Sequence, residues 1–344
     1  MNLSEVVDAG IAATHEVTNS TNPYPRAATI AAASCAILFI VLGVVGNLIT
    51  IFALCTSRKL RMHATTWFVL SLCISDLIFC VVNLPLTASR YIHESWIHGI
   101  TLCRLFPFFF YGNVATSLMS MVAITINRYI LIAHYSWYDK LYRKWNIIAM
   151  ISFVWIFSFA MMTPPLLEIW GTLGLDSTSF SCTILKKDGK SPKKFLFIFG
   201  ILIPCAVIIF CYSCIFFRVR KSRLTLLAHG NNGLGDGNNQ KSNFLSTSQK
   251  RLRRDDLQLT KMMLLIFCCF VICFLPLMIL NILDYDTVSP TIHICGSILA
   301  WSSSCTNLII YVLTNRQYRK AYEELLCRRK ATDRQSHTAS RSGT

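Results

Sequence analysis

Long apolar segments alternate with short polar ones along the whole chain, and seven of these apolar segments are long enough to cross a membrane. A helix needs about 20 predominantly apolar residues to span a hydrocarbon core of ~30 Å. The pattern therefore predicts an all-α membrane protein built as a seven-transmembrane helix bundle. The predicted spans are 28–55, 64–90, 101–133, 146–170, 194–219, 258–283 and 291–314.

The composition agrees with a membrane protein, and it changes how the net charge of the chain is interpreted. The mean hydropathy is +0.49 and 15% of residues are charged, whereas a soluble domain carries about a quarter. The net charge of +16 would suggest nucleic acid as a partner for a soluble protein. Here the charges lie between the apolar segments, so we expect membrane lipid and not nucleic acid. Most of the 15 cysteines lie inside those segments and are expected to be buried thiols.

Lys and Arg residues set the expected orientation. With the N-terminus outside, the extracellular segments hold eight of them, which leaves 25 of the 33 on the cytoplasmic side. Positive residues favour the cytoplasmic face. We therefore expect an extracellular N-terminus and a cytoplasmic C-terminus, with the protein in the plasma membrane.

The two ends of the chain are polar. Residues 1–27 show no cleavable signal peptide and are predicted to be extracellular, with glycosylation acceptor sequences at Asn2 and Asn19. After the region of seven predicted spans at 28–314, residues 315–327 are predicted to form a short amphipathic eighth helix on the inner leaflet. Its apolar positions are Tyr318, Ala321, Tyr322, Leu325 and Leu326.

Cys327 closes that amphipathic segment and is a candidate for palmitoylation. Residues 328–344 are predicted to be a disordered cytoplasmic tail. The longest loop, at about 220–257, has a Gly- and Asn-rich centre typical of a linker. Its basic ends are expected to extend the fifth and sixth helices into the cytosol, where they contact either anionic lipid or a protein partner.

Polar residues inside the spans are costly in lipid and therefore indicate function. They form a series of short motifs, about one per helix. In chain order these are Gly46-Asn47, Asp76-Leu77, Asn127-Arg128-Tyr129, Trp155 with Pro164-Pro165, Pro204 with Tyr212, Cys273-Phe274-Leu275-Pro276 and Asn307-Leu308-Ile309-Ile310-Tyr311. Together they resemble the rhodopsin-like class of G-protein-coupled receptors across almost the whole chain. The resemblance implies a receptor that passes an extracellular signal to heterotrimeric G proteins, and not an enzyme.

The resemblance also assigns roles to individual residues. It implies a disulfide between Cys103 and Cys182, although two unpaired thiols remain the alternative. The residues that it implies for coupling and activation are Asn127, Arg128, Tyr129, Asp256, Tyr212, Phe274, Pro276, Asn307 and Tyr311. The residues that it implies for an allosteric sodium pocket are Asp76, Ser117, Ser303, Ser304 and Asn307. A protonated Asp76 that is only hydrogen-bonded is the alternative to sodium binding. No other cofactor and no metal site is expected.

Three positions depart from the pattern of the class. Asn127 replaces the usual acid beside Arg128 and cannot neutralise it, so we expect the Asp256 contact to restrain Arg128 alone and basal signalling to be raised. Leu308 replaces the usual proline, which predicts a less kinked seventh helix. Phe274 replaces the usual tryptophan, which keeps an aromatic ring and removes its N–H donor.

The expected ligand pocket opens outward between the third, fifth, sixth and seventh helices. Phe110 stands where amine receptors carry an aspartate, so a biogenic amine is not expected. The predicted lining is aromatic, with Phe109 among its rings, and Arg104 is expected near a basic mouth. An anionic lipid, a peptide and an unknown small molecule all stay open. The predicted pocket residues are Phe106, Phe110, Tyr111, Arg90, Asn281 and His293.

A narrower resemblance is carried by Asn127-Arg128-Tyr129, the Ile130-to-His134 segment after it and the Tyr138-to-Tyr142 loop. These resemble a group of insect receptors distantly related to the melatonin receptors. That group implies roles in cell migration, cell polarity or epithelial barrier formation. A secondary transporter and a receptor-like protein that does not couple are the competing interpretations, but the chain lacks the internal repeats of a transporter.

Overall fold

Seven long helices form the bundle that the apolar pattern predicts. The computed structural model describes residues 24–176, 180–230, 240–282 and 289–325. The helices long and apolar enough to span a membrane are α1 (Arg26–Thr56), α2 (Ala64–Ile92), α3 (Gly99–Ala133), α4 (Lys144–Leu166), α5 (Lys193–Lys221), α6 (Asp256–Asn281) and α7 (Pro290–Thr314). Each overlaps one predicted span, so the predicted fold class is confirmed.

Two of these helices contain a widened π turn next to a proline. The turns are Phe79–Asn83 in α2 and Ile198–Leu202 in α5, and Pro85 and Pro204 follow them within two residues. Proline lacks the N–H that would bond four residues back and its ring crowds that carbonyl. A π turn, which bonds five residues back, is the local adjustment to that loss.

Helices α5 and α6 continue beyond the apolar segments that are long enough to span a membrane. The fifth helix extends to Gly230 and the sixth begins at Gln240, as the basic ends of the long loop predict. Residues 231–239, which hold most of the predicted linker, lie outside the described part of the chain.

Helix α3 is the centre of the bundle and packs against α2, α4, α5 and α6. Its close approach to α4 depends on Gly112. A Cβ atom built at Gly112 would lie 2.6 Å from a ring carbon of Phe159 in α4. A larger residue would therefore force the two helices apart.

The polarity of the bundle is the reverse of that in a soluble protein. Apolar side chains such as Leu38, Ile156 and Phe210 are more than half exposed on the outer surface. The polar side chains Asp76 and Asn307 are instead buried between helices. Lipid is the solvent that suits such an exterior, and the buried polar groups satisfy one another inside.

A β-hairpin covers the end of the bundle at which α3 begins. Strands β1 (Thr172–Asp176) and β2 (Ser181–Leu185) pair antiparallel, with Leu175 opposite Cys182. Cys182 forms the predicted disulfide with Cys103 in α3, with Cα atoms 5.2 Å apart. The disulfide therefore ties the hairpin to the first turns of the central helix.

Residues 316–325 form the predicted eighth helix, α8. Its apolar face, however, packs on protein: Tyr318 stacks on Tyr311 of α7 at 5.0 Å between ring centroids. The hydroxyl of Tyr322 lies 3.2 Å from that of Thr50 in α1. The face expected to contact the inner leaflet is thus largely part of the protein core. Asn2, Asn19, Leu326 and Cys327 lie outside the described residues, so glycosylation and palmitoylation stay predictions.

Candidate functional site

The guanidinium of Arg128 lies buried at the inner end of α3 and connects three helices. Arg128 is 1% exposed. One of its terminal nitrogens lies 3.2 Å from a carboxylate oxygen of Asp256 in α6, and the other donates to the hydroxyl of Thr65 in α2. Removing one partner of such a buried charge costs several kcal/mol, about 3–5. The charge of Arg128 therefore holds α2, α3 and α6 together.

Asn127 reaches this network through the same threonine. The hydroxyl of Thr65 donates to the side-chain oxygen of Asn127 over 2.6 Å, and the amide nitrogen of Asn127 lies 3.5 Å from the hydroxyl of Tyr138. The expectation that Asp256 alone restrains Arg128 was therefore wrong. The Thr65 hydroxyl thus donates to the uncharged side chain of Asn127 and accepts a hydrogen bond from Arg128.

Two further contacts join helices at the same end of the bundle as Arg128, and neither was predicted. Gln258 in α6 donates to the carbonyl of Thr314 at the end of α7 over 2.7 Å. Arg218 in α5 donates to the carbonyl of Ala133 at the end of α3 over 3.2 Å. Both use the free carbonyls of a helix C-terminus, which no side-chain motif reveals.

The other predicted switch residues lie along the same internal path, with one exception. Tyr212 and Tyr311 are buried and their hydroxyls form no hydrogen bond within the described part of the chain. Phe274 packs on Phe270 at 4.6 Å between centroids, two residues before Pro276 of the same helix. Tyr129 instead points away from Arg128, with its hydroxyl 3.4 Å from the His134 ring.

Asp76 is buried midway along the bundle and both of its carboxylate oxygens accept hydrogen bonds. Ser117 donates to one oxygen over 3.1 Å, and Asn307 donates to the other over 2.7 Å. Three of the five predicted sodium-pocket residues are thus in contact. The hydroxyl of Ser304 instead donates to the Trp301 carbonyl. The backbone carbonyl of Ser303 accepts a hydrogen bond from the Thr306 hydroxyl.

The donor set around Asp76 fits a small hard cation, since such ions prefer carboxylate, hydroxyl and carbonyl oxygens. Ser75 and Ser117 have hydroxyls 3.2 Å apart beside the carboxylate. The side-chain amide of Asn113, one helical turn before Ser117, is buried without a hydrogen-bond partner among the described residues. Its oxygen is one more ligand of the right kind.

An outward-facing cavity lies beneath the hairpin. All six predicted pocket residues line it: Phe106, Phe110, Tyr111, Arg90, Asn281 and His293. The expectation that Phe109 belongs to the lining was wrong, because Phe109 packs against Phe159 of α4. Arg104 pairs with Glu168 at 3.0 Å with half of its side chain exposed. Arg90 is buried, at 8% exposed.

A buried arginine at the inner end of a seven-helix bundle, a buried acid at its middle and a disulfide-tethered hairpin over an outer cavity define a receptor architecture. The chain belongs to the rhodopsin family of G-protein-coupled receptors: the family described as 7 transmembrane receptor (rhodopsin family) matches residues 46–311. The squid rhodopsin crystal structure shares the fold, with a TM-score of 0.77, 23% identity and coverage of 88% of this chain and 86% of that one.

Relatives of known sequence place the chain within the family. It is 50% identical to Protein trapped in endoderm-1 of Drosophila melanogaster, over 88% of this chain and 79% of the relative. It is 38% identical to the G-protein coupled receptor moody of the same fly, over 84% of this chain and 50% of the relative. The chain thus aligns with about half the length of Moody.

More distantly, the chain is 28% identical to Melatonin receptor type 1A of Phodopus sungorus, over 88% of this chain and 82% of the relative. The predicted receptor class and the predicted group are therefore both confirmed. Membership of a receptor family also removes the support for the transporter interpretation.

The bridging role of Thr65 can be tested by replacing it with valine, which keeps the shape and removes the hydroxyl. Thr65→Val leaves both a terminal nitrogen of Arg128 and the side-chain oxygen of Asn127 buried without this partner. We expect basal G-protein activation to rise about two- to tenfold at equal surface expression, since a neutral hydrogen bond contributes about 1 kcal/mol.

The matched control is Thr66→Val, because the Thr66 hydroxyl donates to the Leu60 carbonyl and not to Arg128. Equal basal activity in the two valine variants would contradict the assignment of Thr65 as a partner that holds Arg128 in place.

Proposed function

We propose that this receptor carries an extracellular signal across the plasma membrane to heterotrimeric G proteins, with Arg128 as its switch. Its N-terminus is extracellular and its C-terminus cytoplasmic. The observation that supports the switch most directly is the buried Arg128 guanidinium, which is bonded to Asp256 in α6 and Thr65 in α2. This arrangement is the resting state.

Activation separates the inner end of α6 from α3. A charge buried as fully as that of Arg128 cannot be left without an acceptor at low cost. When Asp256 moves away, the arginine therefore favours a new acceptor at the cytoplasmic surface, and by family resemblance this is the C-terminal segment of the G-protein α-subunit. The two sets of partners make the helix pair bistable.

Asn127 sets the balance between these states. In the resting state Arg128 has one charged partner, Asp256, whose side chain is 37% exposed and therefore partly screened by water. Thr65 adds one neutral hydrogen bond. A carboxylate at position 127 would add a second charge on the rigid central helix. Its absence favours a raised level of basal signalling.

The substitution Asn127→Asp tests this balance. It places a carboxylate beside Thr65 and Arg128, which strengthens the resting state, so we expect basal G-protein activation to fall by about tenfold or more, on the order of a charge-assisted hydrogen bond. The measurement is basal nucleotide exchange in cells matched for surface receptor. Unchanged or higher basal activity in Asn127→Asp would show that the missing acid does not set the basal level.

We further propose that a sodium ion binds at Asp76 in the resting state. The carboxylate, the hydroxyls of Ser75 and Ser117 and the side-chain oxygen of Asn113 supply oxygen ligands of the kind a hard cation prefers. A bound cation neutralises the buried acid. Asn307 of α7 donates to the same carboxylate. Binding of the ion would therefore change a contact of the helix that also carries Tyr311.

Sodium dependence of the resting state follows from this site. Replacing sodium by N-methylglucamine, a cation too large to enter, is expected to raise basal activity of purified wild-type receptor severalfold. Asp76→Asn is expected to lose this difference because it removes the charge that attracts the ion. Ser304→Ala is the matched control, since its hydroxyl is bonded to the Trp301 carbonyl. A sodium effect that persists in Asp76→Asn would place the ion elsewhere.

The biological role proposed for the receptor rests on resemblance. The chain shares half of its aligned residues with Protein trapped in endoderm-1 and is related to Moody. We propose that it acts, like the insect group it resembles, in guiding cell migration, cell polarity or epithelial barrier formation.

A further inference from the structure

The side chain of Arg90 is a buried cation that takes no part in the contacts of Arg128 with Asp256 and Thr65. Arg90 lies in α2 with 8% of its surface exposed and lines the outward cavity. One terminal nitrogen donates to the hydroxyl of Tyr91 over 3.0 Å, and the guanidinium carbon lies 4.5 Å from the centre of the Tyr91 ring. Its Nε is buried without a hydrogen-bond partner, and within the described residues Arg90 forms no salt bridge.

A buried guanidinium without a carboxylate is an unstable arrangement unless something else completes it. Structural ion pairs bury such a group together with its counter-ion, because an unpaired buried charge costs several kcal/mol. The neutral contact with Tyr91 offsets part of that cost and orients the planar fork. Arg90 lines a cavity in which no carboxylate of the described residues lies, so an anion that enters this cavity would complete the guanidinium.

The rest of this cavity favours an anion. Thr87, Asn281, His293 and Ser297 contribute polar side chains to its wall, and no Asp or Glu of the described chain lines it. Among the described residues, the lining of this cavity thus carries the Arg90 cation and no carboxylate.

A second, apolar cavity lies directly beside the first. Tyr111 and Asn281 line both. Most of its wall is formed by α3, α4 and α5, including Val114, Ala115 and Ile201, and it is completed by Ile184 of β2, Met278 and Asn281 of α6 and the cation Lys193 at the start of α5. At Gly200 in α5 a Cβ atom would lie 3.0 Å from the terminal methyl of Met161 in α4, so a residue larger than glycine would have to displace the flexible end of Met161.

We propose that the ligand of this receptor is an amphiphile whose anionic head, a phosphate or a carboxylate, pairs with Arg90 and whose hydrocarbon chain lies in the crevice lined by α3, α4 and α5. The planar guanidinium suits both head groups because it donates two parallel hydrogen bonds. The apolar crevice accounts for the chain. The proposal rests on the proposed function only for the consequence of binding, not for the binding itself.

The size of the cavities is consistent with entry by adjustment of flexible side chains. Each has a volume of about 60 Å³, which is enough for a head group or a few methylenes and less than a complete ligand needs. Met161, Met162 and Met278 line the crevice, and methionine adapts its unbranched side chain to irregular spaces at low cost. The crevice therefore widens as the chain enters.

The test is competition binding to the purified full-length receptor in phosphatidylcholine nanodiscs, with tritiated oleoyl lysophosphatidic acid as the probe. Unlabelled competitors separate the head from the chain: oleate carries a carboxylate, oleoyl lysophosphatidylcholine carries the same chain with no net charge, and glycerol phosphate carries the head alone. We expect saturable binding that lysophosphatidylcholine and glycerol phosphate displace at least tenfold less well than the probe. Oleate competing as well as the probe assigns a carboxylate-compatible head, and weak competition by oleate assigns a phosphate.

Variants assign the site. Arg90→Gln is expected to weaken probe binding about tenfold or more, as expected for loss of a charge-assisted hydrogen bond, while Arg90→Lys keeps part of the affinity. Gly200→Leu fills the crevice and is expected to weaken the probe more than glycerol phosphate. Arg104→Gln is the matched control, because Arg104 lies at the same end of the bundle, pairs with Glu168 and lines neither cavity.

Absence of saturable binding by the anionic probes, equal affinity for lysophosphatidylcholine, or unchanged affinity in Arg90→Gln would each overturn the proposal. Basal G-protein activation of the same variants is measured in parallel. Arg90-dependent binding without any G-protein activation would contradict the proposed function and leave the anion site intact. Activation without Arg90-dependent binding would overturn the anion site and leave the proposed function intact.

Discussion

The buried charge of Arg128 is the constraint on which its half of the helix bundle depends. A guanidinium that is 1% exposed must be bonded in every state that the bundle adopts, because leaving it unpaired costs more than a typical contact between helices contributes. In the structure its partners are Asp256 and Thr65. The contacts of Gln258 with α7 and of Arg218 with α3 close the same face. Any opening of this face must therefore give Arg128 a new partner.

The central helix links that constraint to the outer cavity. Tyr111 and Arg128 lie on α3 about 25 Å apart at 1.5 Å per residue, with the Ser117–Asp76 contact between them. Asn307 joins the same acid to α7, and Tyr311 one turn later stacks on Tyr318 of α8. A ligand that moves α3 relative to α7 would thus strain a continuous set of buried polar contacts. These contacts form a continuous physical route for coupling between the cavity and Arg128. Mutagenesis at Asp76 would establish whether the coupling follows this route.

Sequence reasoning recovered the parts of this architecture that periodicity, cost in lipid or family motifs specify. The seven spans follow from apolar length, and the six cavity residues follow from motif position on the helices. Thr65 was missed because a threonine at the start of an apolar helix is common and has no local signature. Gln258 and Arg218 were missed because their acceptors are backbone carbonyls. The burial of Arg90 was missed because a lone arginine near a helix end usually reaches water, and only the packing of Tyr91 and the hairpin shows otherwise.

The most direct test of the account is basal G-protein activation by wild type, Asp256→Asn and Arg128→Ala at matched surface expression. The account predicts that Asp256→Asn exceeds wild type, because the resting partner of Arg128 loses its charge, and that Arg128→Ala falls below wild type, because the group that meets the G protein is gone. Basal activity that is the same in all three would contradict the assignment of Arg128 as the switch.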